Sequence, residues 1–137
     1  MKRKVLFLCT GNSCRSQLAE AIVNARLGET WEAVSAGTKP AGCVHPKAIA
    51  ALAEIGILHQ GRSKLADEFR GTDFSLVVTV CDSAAEECPL WLGKGTRLDR
   101  SFPDPAKTGE MDDFRQVRDA IALEIPRLLQ TYEWEVA

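Results

Sequence analysis

Residues 9 to 16 read Cys9-Thr10-Gly11-Asn12-Ser13-Cys14-Arg15-Ser16, and the rest of the fold can be worked out from this stretch. A short apolar run at 5–8 precedes it and a helical pattern follows from about residue 16, so it is predicted to be a loop between a strand and a helix. Such a loop directs several backbone N–H groups at one point, where the helix dipole also favours negative charge. We therefore expect residues 10–15 to bind a tetrahedral oxyanion, with Gly11 allowing a tight turn.

Two side chains of this loop carry the expected chemistry. Arg15 has a planar fork of N–H donors that can bind two oxygens of a phosphate-like group. The same positive field favours Cys9 as the thiolate, which is the nucleophilic form. Ser16 can donate its hydroxyl to that thiolate or cap the helix, whereas Cys14 is expected to pack. A lone cysteine is more often a buried apolar residue, but the full Cys-x5-Arg-Ser pattern between strand and helix is far more specific.

Composition restricts the classes of protein that fit. A chain of 137 residues with 45% apolar content suits a single domain, 1–137. The net charge of −2 gives no reason to expect nucleic acid or an anionic membrane as a partner. The basic residues at the start precede an apolar run that is too short for a signal peptide. The five cysteines are an odd number, which argues against a secreted protein held together by disulfides. We expect a cytoplasmic protein with reduced thiols.

The order of apolar runs and helical patterns predicts an α/β fold. Strands are predicted at 4–9, 31–35 and 75–80, with a weaker one at 96–99, and helices at 16–27, 46–56 and 111–131. This alternation favours a parallel sheet with helices on both faces. Pro126 is expected to kink the last helix, and residues 81–95 are predicted to form a short helix and a mobile loop.

A second pair of cysteines suggests thiol exchange. Cys81 directly follows the third strand, so it flanks the same crevice as Cys9 if the first and third strands are neighbours. Cys88 lies seven positions later, which is ~10 Å in a regular helix, whereas a disulfide needs Cα atoms within about 7 Å. A Cys81–Cys88 bond therefore requires the segment to lose its helix. The alternatives are two small core residues that never meet, and a zinc site, for which the ligand spacing is wrong.

The remaining candidate is an acid. Asp104 lies between Pro103 and Pro105, so a stiff loop can aim its carboxyl group at the oxygen that leaves when Cys9 attacks. The alternative is a turn-forming aspartate on the surface. Cys43 is expected to be an ordinary thiol without a special role. His45 and His59 are expected to be surface residues rather than catalytic ones.

Taken together, these motifs resemble the thioredoxin-coupled arsenate reductases, which share the low-molecular-weight protein tyrosine phosphatase fold. The likeness covers nearly the whole chain and rests on Cys-x5-Arg-Ser, Ser35-Ala36-Gly37, Cys81 with Cys88-Pro89, and Asp104-Pro105. It implies a three-layer α/β/α sandwich with a four-stranded parallel sheet, acting as a monomer without a resident cofactor in arsenic detoxification.

The resemblance also implies roles for single residues. Cys9 attacks arsenate held by Arg15 and the loop amides of residues 10–15, and Asp104 protonates the departing water. Cys81 then attacks Cys9 and releases arsenite. Cys88 attacks Cys81, and the resulting disulfide is reduced by thioredoxin.

One departure from the family concerns potassium. Many relatives bind this ion beside the loop through Asn, Glu, Ser and Asp, of which the first three match Asn12, Glu20 and Ser35. The fourth position is Lys64, and we expect its ammonium group to take the place of the cation.

Two rival functions use the same residues. A tyrosine phosphatase can employ Cys9, Arg15 and Asp104, but such phosphatases carry a tyrosine after Asp-Pro, where this chain has Ala106 and its single tyrosine is Tyr132. A redox- or oxyanion-sensing module that opens when Cys81 and Cys88 are oxidised predicts stable oxidation without turnover.

Overall fold

The computed structural model describes residues 2–81, 93 and 95–136 of the chain. Its centre is a four-stranded, all-parallel sheet in the order β2-β1-β3-β4. The strands are β1 (Arg3–Cys9), β2 (Trp31–Gly37), β3 (Leu76–Thr79) and β4 (Thr96–Asp99). All four predicted strands are therefore present, and the first and third are neighbours as the argument about Cys9 and Cys81 required.

Strand β1 lies in the middle of the sheet and is covered on both faces. Its residues from Val5 to Leu8 are fully buried, as expected for a parallel strand that reads as a continuous apolar run. Val5 and Phe7 join the larger apolar core, whereas Leu6 and Leu8 pack on the other side with Phe74.

The helices α1 (Arg15–Arg26), α2 (Pro46–Glu54) and α3 (Met111–Val136) contribute to that larger core. On the opposite face, the 3-10 helix Ala66–Phe69 packs against the smaller cluster. The predicted fold class is confirmed. Helix α3 runs as one element through Pro126 and ends five residues later than predicted.

Charged side chains connect α2 to α3. The Glu54 carboxylate accepts hydrogen bonds from Arg115 Nη2 at 2.9 Å and from Arg118 Nη1 at 2.8 Å. These hydrogen bonds hold the pKa of Glu54 below its ordinary value, and the bond from Arg115 has the largest effect. Arg118 also donates to the carbonyl oxygen of Ala51 at 2.9 Å, so the two helices are joined at one end by a hydrogen-bonded ionic cluster.

The predicted helix and loop at 81–95 fall largely outside the described residues, and so does Cys88. Among the helices that the structure describes, none is long and apolar enough to cross a membrane.

Candidate active site

The loop between β1 and α1 turns at Asn12. Its φ is 49°, and the side chain is fully buried. The residue of this loop with a positive φ is Asn12 and not Gly11. Asparagine is one of the few residues that adopts the left-handed region at modest cost, since its short polar side chain can bond locally.

The glycine that the loop requires is Gly37, at the end of β2. The register pairs Gly37 with Cys9, and a Cβ atom added to Gly37 would lie 2.3 Å from the carbonyl oxygen of Thr10. Only a residue without a side chain permits this approach, because the obstructing atom belongs to the backbone. The segment after Gly37 continues the contact, since Lys39 N donates to Thr10 O at 3.0 Å and Ala41 N to Gly11 O at 2.9 Å.

Cys9 is the buried nucleophile candidate at the carboxyl end of β1, with 2% exposure. Its Sγ lies 2.8 Å from Ser16 Oγ and accepts the N–H of Asn12 at 3.2 Å. Ser16 does not cap α1, because the N-cap residue is Cys14 and the helix begins at Arg15. The Ser16 oxygen instead lies within hydrogen-bond distance of the sulfur, where its hydroxyl can stabilise a thiolate.

These groups open onto a pocket of about 380 Å³. Its lining residues are Cys9, Thr10, Gly11, Ser13, Cys14, Arg15, Ala41, Asp104 and Ala106. The pocket thus brings together the predicted nucleophile, arginine and acid, which lie far apart in the sequence. The structure also places Ala106, and not a tyrosine, on its wall.

Arg15 and Asp104 approach this pocket from different elements. The Arg15 side chain belongs to a residue with 5% exposure and donates from Nη1 to the carbonyl oxygen of Phe102 at 3.2 Å. Asp104 is half-buried, and its Oδ1 accepts the N–H of Ala106 at 3.0 Å, which begins a short 3-10 helix, Pro105–Lys107. The arginine therefore contacts the segment that carries the acid.

Cys14, the second cysteine of the loop, is an unreactive thiol. Burial raises the pKa of Cys14 to about 12, an effect that a hydrogen bond with Ser13 only partly offsets. Cys14 is thus a neutral thiol at physiological pH, in line with the packing role that we expected for it.

The four positions that correspond to the family's potassium site, Asn12, Glu20, Ser35 and Lys64, lie together behind the loop and are expected to support it. Lys64 N donates to Asn12 Oδ1 at 2.8 Å, and Lys64 Nζ lies 3.4 Å from Glu20 Oε1. The same Glu20 oxygen accepts the hydroxyl of Ser35 at 3.1 Å. With side-chain exposures of 8% for Lys64 and 11% for Glu20, this is a buried ion pair. The place beside Glu20 therefore already holds a positive charge.

The other cysteines differ in state. Cys81 is buried at the end of β3 and is disulfide-bonded, whereas Cys9, Cys14 and the exposed Cys43 are free thiols. Among the residues that the structure describes, no cluster of three or more His, Cys, Asp or Glu side chains could hold a metal ion.

Sequence reasoning missed two buried polar residues beside the loop. Gln17 is fully buried on α1, and His59, which was expected to be a surface residue, has a side chain that is only 8% exposed. His59 Nε2 lies 2.7 Å from Gln17 Oε1. His45 is half-buried, and its Nδ1 accepts the N–H of Lys47 at the start of α2.

The fold and the loop together define a class of enzymes that bind tetrahedral oxyanions beside a nucleophilic cysteine. The chain belongs to the low molecular weight phosphotyrosine protein phosphatase family, which its residues 4–137 match.

Individual relatives within this family point to one branch. An arsenate reductase from Halalkalibacterium halodurans is 40% identical over 136 residues, which is 95% of this chain and 97% of the relative. The solved structure of an arsenate reductase in the phosphate binding state superposes with a TM-score of 0.81 at 29% identity, covering 94% of this chain and 98% of the other. A thioredoxin-dependent arsenate reductase from Corynebacterium glutamicum gives a TM-score of 0.71 at 26% identity, covering 98% of this chain and 63% of the other.

Proposed function

We propose that this protein reduces arsenate to arsenite by passing oxidation through three cysteines, with thioredoxin as the final reductant. One observation carries the proposal: a buried thiol in an oxyanion loop at the end of β1 has a second cysteine, Cys81, at the end of the adjacent strand β3. The names of the relatives support the same substrate. We further propose that it acts as a monomer in the cytoplasm, where a reducing environment keeps such thiols reduced.

The first step is nucleophilic attack on arsenic. Arsenate binds to the loop N–H groups and to the guanidinium of Arg15, and the Cys9 thiolate forms an S–As bond. One arsenate oxygen leaves as water after it takes a proton from Asp104, which lines the same pocket.

The second step transfers two electrons to arsenic. The Cys81 thiolate attacks Cys9 Sγ, so that a disulfide forms while the S–As bond breaks. Its electron pair stays on arsenic, and As(V) leaves as As(III) in arsenite. One thiol alone cannot complete this step, because its sulfur must end in a bond to a second sulfur.

The last steps return the enzyme to its reduced form. Cys88, which lies outside the described residues, attacks Cys81 and releases Cys9 as a thiolate, and thioredoxin reduces the disulfide that remains. The state of Cys81 supports this assignment, since it is disulfide-bonded while Cys9, Cys14 and Cys43 are free.

We also propose that catalysis does not require potassium. The residues present do not suit a bound cation, because the Lys64 ammonium group is already 3.4 Å from the Glu20 carboxylate and donates to Arg62 O at 2.8 Å. A second positive charge beside this buried pair would be repelled.

The test couples arsenate reduction to thioredoxin, thioredoxin reductase and NADPH. We expect arsenate-dependent NADPH loss that Cys81→Ser and Cys88→Ser each abolish, whereas Cys43→Ser, which removes an exposed thiol, leaves it unchanged. Without reductant, one arsenate turnover of Cys88→Ser should stop at a Cys9–Cys81 disulfide, identified by mass mapping. Continued multiple turnover by Cys88→Ser at the native rate contradicts the relay.

A phosphatase is the second candidate, because the family that the chain belongs to is defined by that activity. The same Cys9, Arg15 and Asp104 suffice for it, but Ala106 takes the place of the tyrosine, and among the described residues none that lines the pocket is aromatic. Hydrolysis of an aryl phosphate that is unaffected by Cys81→Ser, with no arsenate-dependent NADPH loss, favours this alternative.

A further inference from the structure

Gln17 is a fully buried amide that the proposed reaction does not use. Its Nε2 lies near three oxygens that can only accept: Asn12 O at 3.1 Å, Asn12 Oδ1 at 3.0 Å and Arg62 O at 2.8 Å. Its Oε1 faces His59 Nε2 at 2.7 Å. These three oxygens must share the two hydrogens of the amide nitrogen, and an amide oxygen in that place would have no donor, so the orientation of the Gln17 amide is fixed by its surroundings.

Gln17 and the backbone of Lys64 together orient Asn12. Asn12 Oδ1 receives two donors, the backbone N–H of Lys64 at 2.8 Å and Gln17 Nε2 at 3.0 Å. The Asn12 amide nitrogen must therefore point the other way, toward Ser16 Oγ at 2.8 Å. Since Oγ accepts that bond, the single hydroxyl proton of Ser16 is free to point at Cys9 Sγ, 2.8 Å away.

His59 completes this arrangement from the far side of Gln17. Because Gln17 Oε1 is an acceptor, His59 Nε2 must carry the proton of their hydrogen bond. A Cβ atom added to Gly61 would lie 2.3 Å from His59 Nε2 and 2.4 Å from Gln17 Oε1. The contact between the two side chains thus depends on the absence of a side chain at position 61.

We propose that Gln17, held by His59, is a positioning residue that orients Asn12 so that the Ser16 hydroxyl donates to the Cys9 thiolate. Every hydrogen bond in this series runs toward the sulfur, which is the direction that a negative charge on Cys9 requires. The proposal rests on the proposed function only in that Cys9 is the nucleophile.

The test is a double-mutant cycle on Cys9 reactivity in a Cys43→Ser background. The reduced protein is treated with iodoacetamide at neutral pH, and the alkylation rate of Cys9 is followed by peptide mass mapping, with and without Gln17→Met and Ser16→Ala. We expect Gln17→Met to slow alkylation by about 3-fold or more, since Asn12 then keeps only the Lys64 N–H on its Oδ1 and holds the Ser16 hydroxyl less firmly. In the Ser16→Ala background, the same change should have an effect of less than about 1.5-fold, because coupled residues do not act additively.

Two outcomes overturn the proposal: a wild-type alkylation rate in Gln17→Met, or an equal slowing with and without Ser16. Protection of Cys9 from alkylation by inorganic phosphate reports whether the loop is intact. A general loss of structure lowers this protection and the alkylation rate by the same factor with Ser16 and with Ser16→Ala.

If Gln17→Met does not fold, a pair of variants at position 59 decides the question. His59→Gln retains an N–H donor and should alkylate at nearly the wild-type rate, whereas His59→Leu should be slow. Equal rates in this pair also overturn the proposal. The assay uses no arsenate, so a protein that shows this coupling without reducing arsenate refutes the proposed function and leaves the inference standing.

Discussion

Replacing Ser16 with alanine tests the thiolate environment most directly. The substitution removes the hydroxyl that lies 2.8 Å from Cys9 Sγ and leaves the rest of the loop in place. It also removes the acceptor of the Asn12 amide nitrogen. No larger side chain is introduced at this fully buried position.

The size of the effect follows from the type of bond that is lost. A hydrogen bond to a charged acceptor contributes about 2 kcal/mol. Because 1.4 kcal/mol corresponds to a factor of ten, its loss disfavours the thiolate relative to the thiol by ~30-fold. A less stabilised thiolate is a stronger nucleophile, with a Brønsted coefficient of about 0.4–0.5, so the alkylation rate should fall by only ~6-fold.

The assay is alkylation of Cys9 by iodoacetamide at neutral pH, with peptide mapping to separate it from the other thiols. Ser63→Ala is the matched control, because Ser63 also donates a hydroxyl to the loop, to Gly11 O at 3.1 Å, but does not contact the sulfur. It should change the rate far less than Ser16→Ala does. A rate for Ser16→Ala within about twofold of the parent, or equal to that of Ser63→Ala, refutes the reasoning on the size of a charged hydrogen bond.

Further predictions concern other parts of the molecule. Arsenate reduction should not respond to potassium at constant ionic strength, whereas Lys64→Asp, which removes the ammonium group beside the carboxylate, should create a dependence; a clear rise in wild-type kcat/KM with potassium contradicts this. Because burial raises the pKa of Cys14 to about 12, iodoacetamide at neutral pH should label Cys43 and leave Cys14 unmodified, and labelling of both at similar rates speaks against a neutral buried thiol. The lowered pKa of Glu54 means that its stabilising effect is complete above the ordinary value of 4.5 and is lost as the pH falls through the lower folded value; the difference in urea midpoint between wild type and Glu54→Gln should therefore shrink on acidification, and a constant difference refutes the assignment. Gly37→Ala forces a Cβ atom against a loop carbonyl and should cost about 1–3 kcal/mol in urea unfolding and weaken protection of the nucleophile by phosphate; unchanged stability argues against the close approach.

The main elements could be predicted from the sequence because their signals are local. The apolar run of β1 ends at Cys9, and Cys-x5-Arg identifies the turn into α1, so the positions of nucleophile and arginine follow from a few adjacent residues. The alternation of strands and helices likewise determined the class of sheet.

The interior of the site was not predictable, because it depends on contacts between distant segments. The role of Gly37 arises from the register of β2 against β1, and the burial of His59 arises from its contact with Gln17, 42 positions earlier. At the turn itself, glycine is the usual residue for a positive φ, but Asn12 adopts it because its side chain is bonded to Lys64, Gln17 and Ser16. Such compensation has no signature in a single sequence.

The hydrogen bond from Arg15 to Phe102 has a consequence for how recognition and chemistry are linked. One guanidinium contacts both the anion pocket and the backbone two residues before the proposed acid, Asp104. Any shift of that guanidinium on ligand capture must change the free energy of the acid-bearing segment, and reciprocity requires that displacing the segment change the affinity for the anion by the same factor. A substitution of Pro103 or Pro105 can therefore weaken oxyanion affinity although neither proline is assigned a contact with the oxyanion.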